Sequence, residues 1–219
     1  QTVRGMSLGI KNIGQKTPDG VMVVHGLDRT ALMACMDKGA QNGGKIKIEN
    51  GIVTITSDDG SAVVFAFVDA STVVGVIGPT ASAGQLKTVL AAGSPLRASP
   101  AFGELVAKTN LEASGWMVMN GNSSVFDQMA GAVGSRPKAA FGSVSVLSGV
   151  SMDLHLRLDT PAQAQQLTSM ANQQAGMAKA MFTKLDITTD AADVVVQLAM
   201  TDQQVSNILQ MAGVSLATP

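Results

Sequence analysis

Alternating and clustered apolar residues divide this chain into short strands and helices, and one strand-to-helix junction occurs twice. Residues 22–36 predict a strand that runs into a helix at Leu27-Asp28, and residues 152–170 repeat the plan at Leu158-Asp159. Two short runs rich in β-branched residues, which are typical of strands, follow each copy. We therefore predict an α+β fold of two tandem related units, each an antiparallel sheet covered by helices.

Turn and capping residues set the limits of several elements. Asn50-Gly51 lies between two alternating runs and predicts a tight hairpin, because both residue types tolerate a positive φ angle. Asp28 is expected to cap the first helix, since its carboxylate can accept a hydrogen bond from a free amide there. Two later helix starts have Thr and Gln at the spacing of a capping box, Thr160 with Gln163 and Thr201 with Gln204.

A stretch rich in Ser and Pro separates the two predicted units. The second unit is expected to begin with a strand and a helix that have no counterpart in the first, so the first is interpreted as lacking its N-terminal strand and helix. Residues 3–13 alternate loosely, and we expect them to pair inside a sheet. The predicted ranges are 1–93 for the first unit, 94–114 for a linker with a short helix, and 115–219 for the second unit.

The apolar content, 46% of the chain, is typical of a folded globule but is unusual in kind, with 13 Met, one Trp and no Tyr. Methionine fills cores flexibly, and Met-rich surfaces also adapt to varied apolar partners. We interpret most of these residues as core filler. The alternative is a cleft that contacts an apolar ligand or a partner through Met117, Met119, Met129, Met170 and Met177.

The distribution of charged and apolar residues argues against a nucleic-acid partner and against a transmembrane segment. The net charge is −1, with both signs scattered singly, and aromatic residues that stack on bases are scarce, so no nucleic-acid partner is expected. No apolar run approaches the roughly 20 residues that span a bilayer, so no transmembrane segment is expected. Charged residues make up only 14% of the chain, and small and amide residues are abundant, which favours an extracytoplasmic location.

Catalytic and metal-binding patterns are weak in this sequence. His25 and His155 are the two histidines, and Asp153 lies on the same strand face as His155, an arrangement common on protein surfaces. The loop 78–85 precedes a helix but lacks the Lys and Ser/Thr of a phosphate loop, and Asp190 with Asp193 fits the tip of a hairpin better than a calcium loop. We therefore predict no catalytic residue, no metal site and no cofactor.

Three segments carry a resemblance to a known group of proteins. They are Gly26-Leu27-Asp28-Arg29 before a helix, the run 67–75, and the run 100–105. Together they resemble uncharacterised secreted or lipoprotein-like proteins of the myxobacterial type, over about residues 20–110. The resemblance implies an extracytoplasmic location and duplicated α+β units, and it transfers no functional residue.

These observations favour a non-enzymatic structural or interaction protein, exported as a subunit of a larger assembly. We expect a protein partner or a homo-oligomer, because antiparallel sheets need their edges protected. The alternative function is a carrier that holds an apolar ligand in a Met-lined cleft between sheet and helices. A hydrolase built around His155 and Asp153 ranks last.

Overall fold

The computed structural model describes residues 3–11, 13, 18–41, 45–92, 98–176 and 178–211. The protein is α+β and contains two antiparallel sheets, which confirms the predicted fold class. The chain divides into two compact units, Gln1–Pro95 and Leu96–Pro219, with one sheet in each. That the two units are related by duplication stays a prediction.

In its described residues, the first unit contains a six-stranded sheet and two helices. Its elements are β1 (Gly5–Lys11), β2 (Asp19–His25), α1 (Arg29–Gln41), β3 (Ile46–Glu49), β4 (Ile52–Thr56), β5 (Ala62–Phe67), β6 (Thr72–Gly78) and α2 (Ala83–Ala91). The strand order is β1-β2-β6-β5-β4-β3. Helix α1 carries the chain from β2 to the far edge, and the strands β3 to β6 return as a meander so that β6 pairs with β2.

The two helices of the first unit cover opposite faces of its sheet. Side chains alternate along β5, so Phe65 packs with residues of α1 while Val64 packs with Leu86 of α2. The strand between them is therefore buried on both sides, which explains its continuous apolar sequence. The N-terminal alternation predicted a paired strand, and β1 pairs with β2 at the opposite edge from β3.

The second unit contains a five-stranded sheet. Its elements are α3 (Pro100–Ala107), β7 (Gly115–Asn120), α4 (Val125–Val133), β8 (Ala139–Ser145), β9 (Val150–Arg157), α5 (Pro161–Gln174), a 3₁₀ turn (Ala178–Met181), β10 (Lys184–Asp190), β11 (Asp193–Met200) and α6 (Asp202–Met211). The strand order is β10-β11-β9-β8-β7. Helix α5 leads from β9 to the edge strand β10, and β11 returns to pair with β9.

Helices α3 and α5 cover opposite faces of the second sheet. Leu105 of α3 packs on Phe141 of β8, whereas Ala164 of α5 packs on Val194 of β11. The short helix expected in the linker 94–114 is α3, and its packing against this sheet places it in the second unit.

The predicted turn and capping residues have the geometry that their chemistry requires. Asn50 and Gly51 have φ angles of 50° and 77°, as a tight hairpin between β3 and β4 demands. The Ala31 amide donates to Oδ1 of Asp28 at 2.9 Å. Both capping boxes are formed, because Thr160 with Gln163 and Thr201 with Gln204 exchange hydrogen bonds in each direction.

Candidate functional site

Four charged side chains of the second unit gather around one buried carboxylate, Asp193, at the start of β11. Its side chain is 1% exposed. Arg157, opposite it on β9, donates from Nε to Oδ1 at 2.7 Å and from Nη2 to Oδ2 at 3.0 Å. Lys108, just after α3, donates from Nζ to Oδ2 at 3.1 Å. The buried charge is therefore met by two cations in a fork-like geometry.

Each of these cations also binds a second carboxylate, so both positive charges are paired within the cluster. Arg157 Nη1 donates to Glu104 Oε1 at 2.6 Å, and Lys108 Nζ donates to Asp190 Oδ2 at 3.0 Å. The guanidinium of Arg157 also lies 5.5 Å from the ring centroid of Phe141. We interpret this cluster as a structural lock that ties α3 to the β10–β11 hairpin and to β9.

The pKa shifts of the cluster agree with this interpretation. Burial alone would raise the pKa of Asp193, but the hydrogen bonds from Arg157 and Lys108 outweigh burial and hold that pKa below its ordinary value of 3.8. The hydrogen bonds to Asp190 and Asp193 raise the pKa of Lys108. The carboxylate of Asp193, the guanidinium of Arg157 and the ammonium group of Lys108 therefore stay charged at neutral pH.

The predicted histidine–carboxylate pair lies on the same face and on the same strand as Arg157, nearer the start of β9. His155 stacks on Phe141 with ring centroids 4.6 Å apart and planes inclined by 15°. Its Nε2 is 3.5 Å from Oδ1 of Asp153, at the outer limit of a hydrogen bond. Ser143 pairs in register with Asp153. Within the described chain, neither Nδ1 of His155 nor Oδ1 of Asp153 has a hydrogen-bond partner, so the two side chains are close neighbours rather than a hydrogen-bonded pair.

The methionines predicted to line a cleft are spread over the second unit. Met117 and Met119 share one face of the edge strand β7, and Met129 is half-buried on α4. Met170 is exposed on α5, which covers the same face as Met117 and Met119 but packs on β10 and β11, toward the opposite edge of the sheet. Met177 lies outside the described residues.

Two surface depressions occur in the first unit, and polar residues line most of each. One, of about 190 Å³, lies between the β3–β4 hairpin and α2 and contains Lys47 and Lys87. The other, of about 640 Å³, is open and lies where Arg4, Asp28 and Asp69 meet. Neither is lined by a methionine.

The four sheet edges differ sharply in charge. The edge strand β3 exposes Lys47 and Glu49, and the edge strand β10 carries Lys184, Asp186 and Asp190. Strand β7 has no charged residue, and β1 has one only at its last position. Charges are a common device against unwanted strand pairing. One edge of each sheet has this protection and the other lacks it.

The two unprotected edges expose large apolar side chains. On β1 the residues Met6, Leu8 and Ile10 share one face and are 68%, 48% and 41% exposed. On β7 the exposed residues are Trp116 and Met117, on opposite faces. These two strands, which we call the uncharged edges, are the best candidate interaction surfaces of the described chain.

Sequence reasoning missed the partners of Asp193. The sequence did contain one signal for this cluster. Asp153, His155 and Arg157 alternate along a strand whose other positions are mostly apolar, so Arg157 belongs to the same polar face. The uncharged edges were also readable from sequence, but only after the strand order had shown which strands are edges.

Comparison with known proteins adds no function. No known protein family, curated protein or solved structure matches the chain. Among the described residues, no three His, Cys, Asp or Glu side chains gather as metal ligands would, and no helix is long and apolar enough to cross a bilayer.

Proposed function

We propose that this chain is a non-enzymatic structural or interaction protein that associates through its uncharged edges, β1 and β7. The observation that carries the proposal is the contrast between edges: β3 and β10 bear charges, whereas β1 and β7 expose apolar side chains at edges that no other strand of the described residues pairs with. An added strand would satisfy the outward backbone groups and cover those side chains together.

The charged residues of the second unit support a structural role. Arg157 and Lys108 are each bound by two carboxylates, and this arrangement holds α3 on the sheet. A general acid or base must lie within hydrogen-bond reach of its substrate, and both carboxylate oxygens of Asp193 are already bonded to Arg157 and Lys108. The cluster instead stabilises the unit that presents β7.

We also propose that the protein acts outside the cytoplasm, as a subunit of an exported assembly. The support is compositional, namely the low charged fraction of 14%, together with the resemblance of residues 20–110 to secreted or lipoprotein-like proteins. Fractionation of cells that express the complete gene tests this, because the protein should appear in the periplasmic, outer-membrane or extracellular fraction. Recovery with the cytoplasmic proteins would contradict it.

A carrier of an apolar ligand is the weaker candidate. Such a site needs an enclosed, mostly apolar space of roughly 300–1,000 Å³. The described methionines lie on an edge strand and on two different helices, and neither of the two depressions is lined by a methionine. No observation favours the carrier over association through the edges.

Light scattering over a micromolar concentration series tests the proposed association. The variants Leu8→Lys and Met117→Lys place a charge on each uncharged edge, and Thr188→Lys is the matched control because Thr188 is exposed on the already charged strand β10. The wild type and the control should gain mass with concentration, and one or both edge variants should not. A wild type that stays monomeric, or equal association in all four proteins, would overturn the proposal.

A further inference from the structure

We propose that β1 pairs with β1 of a second copy of this chain, antiparallel and centred on Leu8. This inference rests on the proposed function, because it names the partner of one uncharged edge. It predicts an isologous dimer in which the two six-stranded sheets become one continuous sheet across a two-fold axis.

The sequence of β1 is nearly symmetric about Leu8. In an antiparallel pair with Leu8 opposite Leu8 of the second copy, Met6 lies opposite Ile10, and Ser7 lies opposite Gly9. Large apolar residues therefore meet large apolar residues on one face, and small residues meet small residues on the other. Cross-strand apolar pairs of this kind stabilise antiparallel sheets.

The two-fold axis keeps equivalent faces together. It runs perpendicular to the sheet, so the exposed row Met6, Leu8 and Ile10 of each copy lies on the same side of the joined sheet. Helix α1 packs on β3 at the opposite edge, and α2 packs on β5 and β6. Both helices are thus centred away from the strand that would pair.

The charges flanking β1 fit this register. Lys11 lies opposite Gly5 of the second copy rather than opposite another cation. By alternation Arg4 belongs to the face of Met6 and Leu8, whereas Lys11 belongs to the other face. The register therefore places no like charges directly opposite each other.

Strand β7 fits β1 less well as a partner. Its large residues lie on both faces, with Trp116 on one and Met117 on the other. The face of β1 that carries Gly5, Ser7 and Gly9 offers nothing to pack against such a side chain. A β1–β7 contact between copies would also be heterologous, and such contacts form rings or open filaments rather than a two-fold dimer.

Disulfide trapping measures the register directly. In a Cys35→Ser background, which removes the exposed native thiol, Leu8→Cys places two sulfurs across the two-fold axis. Directly opposed residues have Cα atoms about 4.5–5.5 Å apart, within the range that a disulfide spans. Under mild oxidation most of this variant should become a covalent dimer, while the reduced variant should associate like the wild type.

Met6→Cys in the same background is the control for register. The two Met6 positions would be four residues out of alignment, about 14 Å along the strands, so crosslinking should be at least about tenfold slower. The double variant Met6→Cys/Ile10→Cys should recover fast crosslinking.

The outcomes separate this inference from the proposed function. Association without a Leu8 crosslink, or a crosslink between Leu8→Cys and Met117→Cys, would overturn the β1–β1 dimer and leave association through the edges intact. Equally fast crosslinking of Leu8→Cys and Met6→Cys would overturn the register. A monomeric wild type would overturn both.

Discussion

Asp193 shows how one buried charge can organise a unit. Its carboxylate is buried at the β10–β11 hairpin, and the desolvation that this costs is offset by Arg157 from the neighbouring strand and Lys108 from the end of α3. These residues are distant in sequence. The carboxylate therefore fixes where α3 and the hairpin lie relative to β9.

Replacing Asp193 should cost far more stability than replacing its exposed neighbour. Asp193→Asn leaves Arg157 and Lys108, whose side chains are 21% and 36% exposed, each short of one carboxylate, and we expect a loss of about 1.5–3 kcal/mol in the free energy of unfolding. Asp190→Asn is the matched control, because its side chain is well exposed, and should cost about 0–1 kcal/mol. Urea denaturation of both variants measures the difference. Equal losses would contradict the lock.

The carboxylate of Asp193 should also make the free energy of unfolding depend on pH in the acidic range. The pKa of Asp193 is lower in the folded protein than in the unfolded chain, so its stabilisation is present above about pH 4 and is lost as the pH falls through the folded value. The difference in unfolding free energy between the wild type and Asp193→Asn should therefore shrink below about pH 4. A difference that stays constant from pH 7 to strongly acidic conditions would show that the negative charge of Asp193 does not contribute to the free energy of unfolding.

At the scale of single elements, glycine is required where another backbone comes too close. Gly149, in the β8–β9 hairpin, has a φ of 83°, and a Cβ there would collide with the carbonyl oxygen of Met200. Gly51 has a similar φ of 77° but has open space around it. A side chain at Gly51 would therefore cause backbone strain alone, whereas a side chain at Gly149 would cause both backbone strain and a steric collision.

The variant Gly149→Ala should be clearly less stable than Gly51→Ala. Left-handed backbone strain costs about 1–2 kcal/mol at either site, and the collision at Gly149 should add about 1–3 kcal/mol as overpacking. Thermal unfolding of the two variants provides the comparison. Equal melting temperatures would mean that the β8–β9 turn can move away from Met200.

The helices, strands and turns could be predicted because they depend on neighbouring residues. The strand order and the contacts between residues distant in sequence could not be predicted. Alternation, the Asn50-Gly51 turn and the Thr160 capping box depend on residues within a few positions of each other. The insertion of β6 beside β2, and the pairing of Arg157 with Asp193, depend on which strands meet after the chain has crossed the sheet. Two apolar strands of similar length give no local signal for that choice.

For the whole molecule, one uncharged edge should support only weak association. Met6, Leu8 and Ile10 are each partly exposed, and covering them contributes about 1 kcal/mol apiece, with about 0.5–1.5 kcal/mol from each backbone hydrogen bond. Association itself costs about 4–15 kcal/mol. The net affinity of one edge is therefore modest, so a dimer through β1 should be reversible and should depend on protein concentration.

Amide hydrogen exchange at low and high protein concentration tests association through the uncharged edges most directly. Peptides covering β1 or β7 should exchange more slowly in the concentrated sample, because a paired strand protects its outward amides. Peptides covering the charged edges β3 and β10 serve as internal references and should exchange equally in both samples. Exchange in β1 and β7 that does not change with concentration would contradict the account.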